Sequence, residues 1–219
     1  MFFIKILSSC IKTFCFNFRY LSLRQAIHFP VRIYQGFHIM KMKGKIILDF
    51  DWKNEHIVLG HGGSPALQSF SGGMYLDAES SITFRGNAVI SEGTVLRCDK
   101  GANITIGKNL YFNKNNYIRS SCSVVFGDGC TLGWNNTINT TDGHYFASND
   151  TNSSLIESPI YIGNHVWITT HCILNKGAVI PNGCVVAQGS IITKRAFEEN
   201  SLIGGIPAKV IKQHIVWKN

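Results

Sequence analysis

Large aliphatic residues recur every six positions in the C-terminal half of the chain, and this spacing restricts the fold more than any other feature. An α-helix repeats every 3.6 residues and a simple strand every two, so neither can keep a six-residue period over such a distance. A short, fixed, self-similar period instead indicates a solenoid. The uninterrupted run consists of Ile162, Ile168, Leu174, Ile180, Val186 and Ile192.

A short strand followed by a turn gives this period, and three such units close a triangular coil of about 18 residues. Successive coils stack at about 4.8 Å. The large aliphatic fills the centre, and the residue four positions later lies near a corner that admits only a small side chain. Cys172 and Cys184 occupy that second position, and Cys122 and Cys130 do so upstream. We therefore predict that these four cysteines are buried packing residues.

The ladder continues upstream with short interruptions, from about residue 80 to residue 194. Strand-like residues from position 44 lead into it, so we predict an all-β solenoid, a parallel β-helix, over residues 44–194. Residues 140–159 are polar and too long for a coil corner, which predicts a projecting loop. Residues 195–219 are predicted to form a short C-terminal tail.

Residues 1–43 are predicted to form an N-terminal helical segment. An apolar stripe with spacings of three and four includes Leu7, Ile11 and Phe14, and the basic residues lie off that stripe. Such a helix can cover the open end of a solenoid, pack in an oligomer or lie on a membrane. We favour packing, because an open solenoid end needs a cap, and keep membrane contact through residues 1–24 as the alternative.

Composition and charge limit the classes of partner that we expect the chain to bind. The formal charge is +8, from 21 Lys and Arg against 13 Asp and Glu, and these cations form neither a long run nor a zinc-finger spacing. Nucleic acid is therefore not expected as a partner. The chain contains no uninterrupted run of 18 apolar residues, so we expect no membrane span. The chain has seven cysteines, an odd number, and no secretory signal, which favours reduced thiols and a cytoplasmic location. If residues 1–24 contact a membrane, we expect the protein to be peripheral to its inner face.

The polar loop opens with Asp142-Gly143-His144, the most suggestive cluster for chemistry. A histidine can accept a proton near neutral pH, and a neighbouring carboxylate can orient it. By itself the pattern also fits a solvated loop histidine.

Four segments in a fixed order make the chain resemble the hexapeptide-repeat acyltransferases, in particular the sugar and xenobiotic O-acetyltransferases. They are TDGH, IYIGNHVWI, VVAQGSIITK and GGIPAKVIK. The leading FNFRYLSLRQAIHFPVRI is similar to acetyltransferases found with bacterial capsule and O-antigen biosynthesis. The resemblance implies a left-handed β-helix, a homotrimer with active sites between subunits, and acetyl transfer from acetyl-CoA to a hydroxyl of a sugar or surface polysaccharide.

The resemblance also implies roles for individual residues. His144 matches the general base, with Asp142 beside it, and Asn113 and Trp134 are assigned to the acceptor. No metal is expected. The positions that match the family's CoA-binding motifs are Trp167, Thr170, Gln188, Thr193, Lys194, Lys209 and Lys212. The chain departs from the family at Thr169, Asn175 and Pro181, where small residues are common, and this could alter the backbone approach to CoA.

Three alternatives stay open on sequence grounds. The acceptor could be an amino-sugar nitrogen, a small free sugar or an antibiotic. His144, His165 and His171 could instead hold zinc, as in β-helical carbonic anhydrases. A trimeric scaffold without catalytic activity would leave His144 dispensable.

Overall fold

The computed structural model describes residues 2–144, 157–193 and 197–218, with side chains from residue 6 onward. Two helices, α1 (Phe2–Tyr20) and α2 (Leu23–Ala26), precede 22 strands in the described residues. In chain order the strands are β1 (Val31–Ile33), β2 (Phe37–Met42), β3 (Lys45–Leu48), β4 (Ile57–Leu59), β5 (Gly72–Leu76), β6 (Ser81–Phe84), β7 (Ala88–Ile90), β8 (Val95–Cys98), β9 (Asn103–Ile106), β10 (Leu110–Phe112), β11 (Tyr117–Ser120), β12 (Ser123–Phe126), β13 (Thr131–Leu132), β14 (Thr137–Asn139), β15 (Ile160–Ile162), β16 (Trp167–Ile168), β17 (Ile173–Leu174), β18 (Val179–Ile180), β19 (Val185–Val186), β20 (Ile191–Ile192), β21 (Leu202–Gly205) and β22 (Ala208–Lys212).

The strands form three sheets, because each strand pairs with the strand three places earlier in the chain, except at the C-terminal end, where β21 pairs with β19 and β22 with β21. Sheet A has the order β1-β4-β7-β10-β13-β16-β19-β21-β22, sheet B the order β2-β5-β8-β11-β14-β17-β20, and sheet C the order β3-β6-β9-β12-β15-β18. Neighbouring strands are parallel except for the antiparallel pair β21 and β22. This arrangement confirms the predicted fold class, a left-handed parallel β-helix.

The centre of the coil is filled as the six-residue spacing predicts. The ladder residues from Phe84 to Ile192 are at most 2% exposed, and the rings of Phe112 and Phe126 meet at 5.0 Å between centroids. Burying each such side chain contributes about 1.5–3 kcal/mol.

The small-residue positions are filled largely as predicted. The thiols of Cys130, Cys172 and Cys184 are fully buried, whereas Cys122 is half-buried. Burial raises the pKa of Cys130 to about 11 and also raises the pKa values of Cys172 and Cys184. These three thiols therefore stay protonated near neutral pH and serve as packing groups.

Coil length varies along the molecule. Trp167 is in register with Val185, 18 residues later, as the ideal repeat requires. Further upstream Gly73 is in register with Val95, 22 residues later, and the additional residues lie in the turns. The inward residues keep their positions because each turn absorbs its own insertion.

The β-helix extends beyond the range expected from sequence. Its first strands, β1 and β2, lie within residues 1–43, where a helical segment was predicted, and the helices end at Ala26. At the other end, β21 adds the tail to sheet A by pairing with β19. Long corner segments separate the early strands, since Ile33 is in register with Leu59, so no six-residue ladder reveals them.

Helix α1 contacts the first coil through polar side chains. The Thr13 hydroxyl oxygen accepts a hydrogen bond from Ile33 N (2.9 Å), and Asn17 Nδ2 donates to Val31 O (2.6 Å). These side chains satisfy the open edge of β1, whose peptide groups lack a preceding strand. Helix α1 thus packs on the end of the coil, but the predicted apolar stripe faces the other way, with Ile11 54% and Phe14 53% exposed.

Among the described residues, neither helix has the length and apolar character needed to cross a bilayer.

A ladder of buried asparagines joins successive coils at the turns between sheets A and B. Asn136 Oδ1 accepts from Cys172 N (2.8 Å), and its Nδ2 donates to Thr169 O (3.0 Å). The Asn136 backbone N–H in turn donates to Asn116 Oδ1 (3.0 Å). Both asparagines are 1% exposed, so their amides replace backbone hydrogen bonds that the turns cannot make.

We expect Asn136→Ala to lower the free energy of unfolding by about 2–3 kcal/mol, because it leaves buried peptide groups unsatisfied. Urea denaturation followed by circular dichroism measures the change. Asn54→Ala, at an exposed asparagine outside this ladder, serves as the control and should change the midpoint little. Equal midpoints for Asn136→Ala and the unsubstituted protein would contradict a structural role for the ladder.

Candidate functional site

The predicted site residues fall mainly on two of the three corners of the coil. The A–B corner joins sheets A and B and comprises residues 91–94, 113–116, 133–136, 169–172 and 187–190. The B–C corner joins sheets B and C, and its described turns are 77–80, 99–102, 121–122, 140–144 and 175–178.

The A–B corner gathers four predicted ligand contacts into one column. Asn113, Trp134, Thr170 and Gln188 lie in consecutive turns of this corner, one per coil. Gly189 N donates to Thr170 O (3.0 Å), which holds the last two turns together. Because coils stack at about 4.8 Å, the column presents backbone groups with polar and aromatic side chains along one edge, as an extended ligand requires.

Asn113 is partly engaged within the chain. Its Oδ1 accepts hydrogen bonds from Ser64 N (3.0 Å) and Lys114 N (2.8 Å). Residues 60–71 cover this turn, and the 7%-exposed Lys114 donates from Nζ to Leu67 O (3.2 Å). The Asn113 amide nitrogen is therefore the group that can donate to a ligand. The assignment of Asn113 to acceptor binding stays a prediction.

Asp142 and His144 lie on the B–C corner, directly after β14. Gly143 N donates to the Thr141 hydroxyl (3.0 Å), and Thr141 forms an antiparallel bridge with Glu157. The base of the predicted loop is thus closed, while residues 145–156 lie outside the described residues. His144 is exposed at the start of the loop.

Asp142 forms an ion pair with Lys176, a residue that the sequence motifs did not single out. Lys176 lies in the turn of the next coil, so the pair ties the loop entrance to the coil below it. The predicted role of Asp142 in orienting His144 stays a prediction, and Lys176 is a further cation at this corner.

The two corners are separated within one chain. Trp134 precedes β14 and Asp142 follows it, so the three-residue strand Thr137–Asn139 lies between them. At about 3.3 Å per residue this alone places them roughly 10 Å apart. One chain therefore offers a column of ligand-binding groups and a histidine on separate edges of the same face.

Of the remaining predicted CoA contacts that the structure describes, Trp167, Lys209 and Lys212 lie on sheet A, and Thr193 follows β20. Trp167 on β16 is 38% exposed, and Lys209 and Lys212 are exposed on β22. Lys194 lies outside the described residues. Trp217 anchors the tail that carries the two lysines, because its ring stacks on His165 at 4.0 Å.

One of the departures from the family pattern has a clear structural consequence. The Thr169 hydroxyl donates to Val186 O (2.8 Å), so it is tied to the next coil. A Cβ added to Gly133 would lie 2.1 Å from Thr169 O, which requires glycine at that position. The backbone approach at this part of the column is therefore set by close packing of adjacent turns.

A cationic cluster near the B–C corner was missed by the sequence motifs. Arg97 Nε and Arg119 Nε contact the two oxygens of Asp99 at 2.8 and 2.9 Å, and the Ser121 hydroxyl donates to the same carboxylate (2.7 Å). Two guanidinium groups share one carboxylate, so the cluster keeps a positive charge. Arg119 is in register with Asn139, just before the His144 loop.

Hydrogen bonding sets the ionisation of Asp99. Burial acts to raise the pKa of this carboxyl, but the hydrogen bonds from Arg97, Ser121 and Arg119 outweigh it, so the pKa lies below its ordinary value. The cluster is found from sequence only once the coil length is known, because Arg97 and Arg119 are 22 residues apart and belong to consecutive coils.

The three histidines of the zinc alternative lie on three different corners. His144 is on the B–C corner, His171 on the A–B corner, and His165 on the corner that joins sheets C and A. His171 Nε2 lies 3.1 Å from Asn135 Nδ2. Across the described ranges, no three His, Cys, Asp or Glu side chains are grouped to hold a metal ion. A single chain therefore does not assemble the three histidines.

Comparison with known proteins confirms the resemblance predicted from sequence, although no protein-family model matches the chain. The galactoside O-acetyltransferase of Escherichia coli (strain K12) is 35% identical over 113 residues, which are 52% of this chain and 55% of the relative. A putative acetyltransferase of Dictyostelium discoideum is 40% identical over 129 residues, covering 58% of this chain and 66% of the relative. The chain thus spans between about half and two thirds of the length of these curated relatives.

The fold is shared with a solved acetyltransferase. The crystal structure of the polySia-specific acetyltransferase NeuO superposes with a TM-score of 0.55 at 19% identity, over 84% of this chain and 89% of that one.

We expect Asp99→Asn to be less stable than the unsubstituted protein at pH 7, with a deficit that shrinks as the pH falls. Since the pKa of Asp99 is lowered by folding, its ionised form contributes stability above about pH 4, and that contribution is lost as the pH falls through the folded-state value. Urea denaturation at pH 7 and pH 3 checks this. Glu79→Gln, at a side chain 74% exposed, is the control. A deficit for Asp99→Asn that is independent of pH would contradict the ion-pair explanation.

Proposed function

We propose that this chain, which resembles the hexapeptide-repeat acyltransferases in sequence and in fold, transfers an acetyl group from acetyl-CoA to a hydroxyl of a carbohydrate. The observation that carries the proposal is the column at the A–B corner. There the coil aligns Asn113, Trp134, Thr170 and Gln188, which the family resemblance assigns to acceptor and CoA, while His144 opens the loop on the neighbouring corner.

The reaction follows from the chemistry of these groups. His144 accepts the proton of the acceptor hydroxyl while the oxygen of that hydroxyl attacks the thioester carbonyl carbon. The new C–O bond forms, the C–S bond breaks, and the CoA thiolate takes a proton from the imidazolium. Backbone N–H groups at the coil corner would stabilise the negative charge that develops on the carbonyl oxygen.

A homotrimer would complete the site. His144 and the A–B column lie on different corners of one chain, so a neighbouring copy that places its A–B corner against the His144 loop would unite them. Each subunit would then contribute its histidine to one site and its column to another. This assembly belongs to the proposal.

Cationic and aromatic groups would hold the CoA moiety. The phosphates of CoA are anionic, and the exposed Lys209 and Lys212 can meet them as mobile charges. The exposed ring of Trp167 offers an apolar surface nearby on sheet A. The anchoring of the tail by Trp217 keeps the two lysines at the end of that sheet.

A surface polysaccharide of the capsule or O-antigen type is the proposed acceptor, modified in the cytoplasm. The galactoside O-acetyltransferase supports a sugar hydroxyl as the reacting group. An amino-sugar nitrogen is the second candidate acceptor, because the same base and acyl donor would serve it.

We expect His144→Ala to lower kcat by about 10²–10⁴-fold with little change in the KM for acetyl-CoA, because general-base catalysis contributes about this much. Release of CoA thiol in the presence of a panel of sugars and oligosaccharides measures the rate. Equal turnover by His144→Ala and the unsubstituted protein would remove the proposed base and favour a different chemistry or a scaffold.

His165→Asn and His171→Asn are the matched controls. Both residues have a positive φ, 52° and 57°, which asparagine tolerates. The acyltransfer proposal expects a near-normal kcat from each, with a raised KM for acetyl-CoA only in His165→Asn, whose ring holds Trp217 and the tail. The zinc alternative instead expects loss of kcat in all three histidine variants.

We expect the double variant Lys209→Glu/Lys212→Glu to raise the KM for acetyl-CoA at least about tenfold with kcat largely retained, because contacts to remote phosphates bind ground state and transition state alike. Initial rates at varied acetyl-CoA measure this split. Lys108→Glu, at an exposed lysine on the corner joining sheets C and A, is the control. An unchanged KM in the double variant would place the CoA phosphates elsewhere.

A further inference from the structure

The net charge of the protein is concentrated at one end. Residues 1–48 contain eight Lys and Arg and no Asp or Glu, whereas residues 49–219 contain 13 of each sign. The excess of +8 therefore belongs entirely to the helices and the first coil. A neutral β-helix thus carries a strongly basic N-terminal end.

The same end exposes large apolar side chains on and beside both helices. On α1 the side chains of Leu7, Ile11 and Phe14 are 63%, 54% and 53% exposed, and Leu23 on α2 and Ile27 after it are 70% and 55% exposed. The rings of Phe14 and Phe18 meet at 4.6 Å between centroids. We call the surface formed by Leu7, Ile11, Phe14, Phe18, Leu23 and Ile27 the N-terminal apolar face.

The orientation of α1 is fixed by its contacts with the coil. Thr13 and Asn17 hydrogen-bond the edge of β1, and the Phe16 side chain is 3% exposed in the core. These residues lie on the side of the helix opposite the stripe, at helical spacing. The helix therefore cannot turn its apolar face inward without losing the bonds that close the end of sheet A.

The same two helices carry basic side chains. Arg19 lies at the end of α1, over the ring of Tyr20 at 5.7 Å. Arg24 on α2 lies over the ring of Trp52, also at 5.7 Å. Lys12 Nζ donates to Gln35 O (2.7 Å), so a third cation sits where the helix meets the coil. A helix with one apolar face and basic residues beside it is the arrangement that binds at the lipid–water boundary.

We propose that the N-terminal apolar face docks on an anionic lipid surface. The apolar side chains enter the boundary between headgroups and acyl chains, and the negative surface potential of the lipid attracts the Lys and Arg side chains of the basic end. A second copy of this chain fits the face less well. If the basic ends of two copies met, like charges would come together, and positions 1–48 contain no Asp or Glu to neutralise them.

Cosedimentation of the full chain with vesicles tests the proposal independently of any acetyl-transfer activity. We expect binding to phosphatidylcholine vesicles that contain about 30% phosphatidylserine, weaker binding to phosphatidylcholine alone, and loss of binding as salt screens the charges. Phe14→Ser/Phe18→Ser and Arg19→Gln/Arg24→Gln should each lower the partition coefficient at least about tenfold.

Tyr161→Ser/Val179→Ser is the matched control, because it changes two adjacent and comparably exposed side chains on sheet C, away from the helices. It should leave vesicle binding unchanged. Circular dichroism and thermal unfolding verify that each variant is folded. Equal binding by the Phe14/Phe18 variant, or failure of the unsubstituted protein to bind either vesicle, would overturn the proposal. A lower molar mass of that variant in size-exclusion chromatography with light scattering would assign the face to a contact between copies instead.

Discussion

The rest of the structure depends on the stacking of inward side chains along the axis of the coil. Each coil places three large residues at its centre, and each of these lies in register with its counterpart one coil away, as Phe112 does with Ile90 and Leu132. Because this contact repeats, one burial geometry serves the whole length of the molecule, and the backbone of every strand pairs with the strands of the adjoining coils. The turns are then free to vary without cost to the core.

That freedom is what allows a chemical site to exist on such a scaffold. The turns of the A–B corner stack into a column joined by asparagine amides, and the turn after β14 carries Asp142 and His144. The strands fix the positions of the A–B column and of the turn after β14, while insertions in the corners determine which side chains each turn exposes. The separation of the two corners in one chain is a direct consequence of the triangular section, and it is the physical reason for proposing that subunits share the site.

The helix at the N-terminus shows how an amphipathic pattern can mislead. The stripe of apolar residues predicts a buried face, yet the edge of β1 exposes peptide groups that apolar side chains cannot satisfy. Thr13 and Asn17 satisfy them, and Phe16 on the same side of α1 is buried in the core, so these hydrogen bonds and one aromatic side chain fix which side of α1 faces the coil. The stripe is left exposed, at the end of the molecule whose sequence also carries the positive excess of the chain.

The sequence by itself determined the interior of the β-helix from Phe84 to Ile192, including the buried cysteines, because a six-residue period returns the same inward positions in each strand. It also supplied the motifs that identify the acetyltransferase resemblance. Only the tertiary structure decided which residues from different coils meet, such as Asp142 with Lys176 or Arg97 with Arg119 through Asp99. Those encounters depend on coil lengths that vary from 18 to 22 residues among the regular coils, and insertions in the turns hide that register from any pattern along the chain.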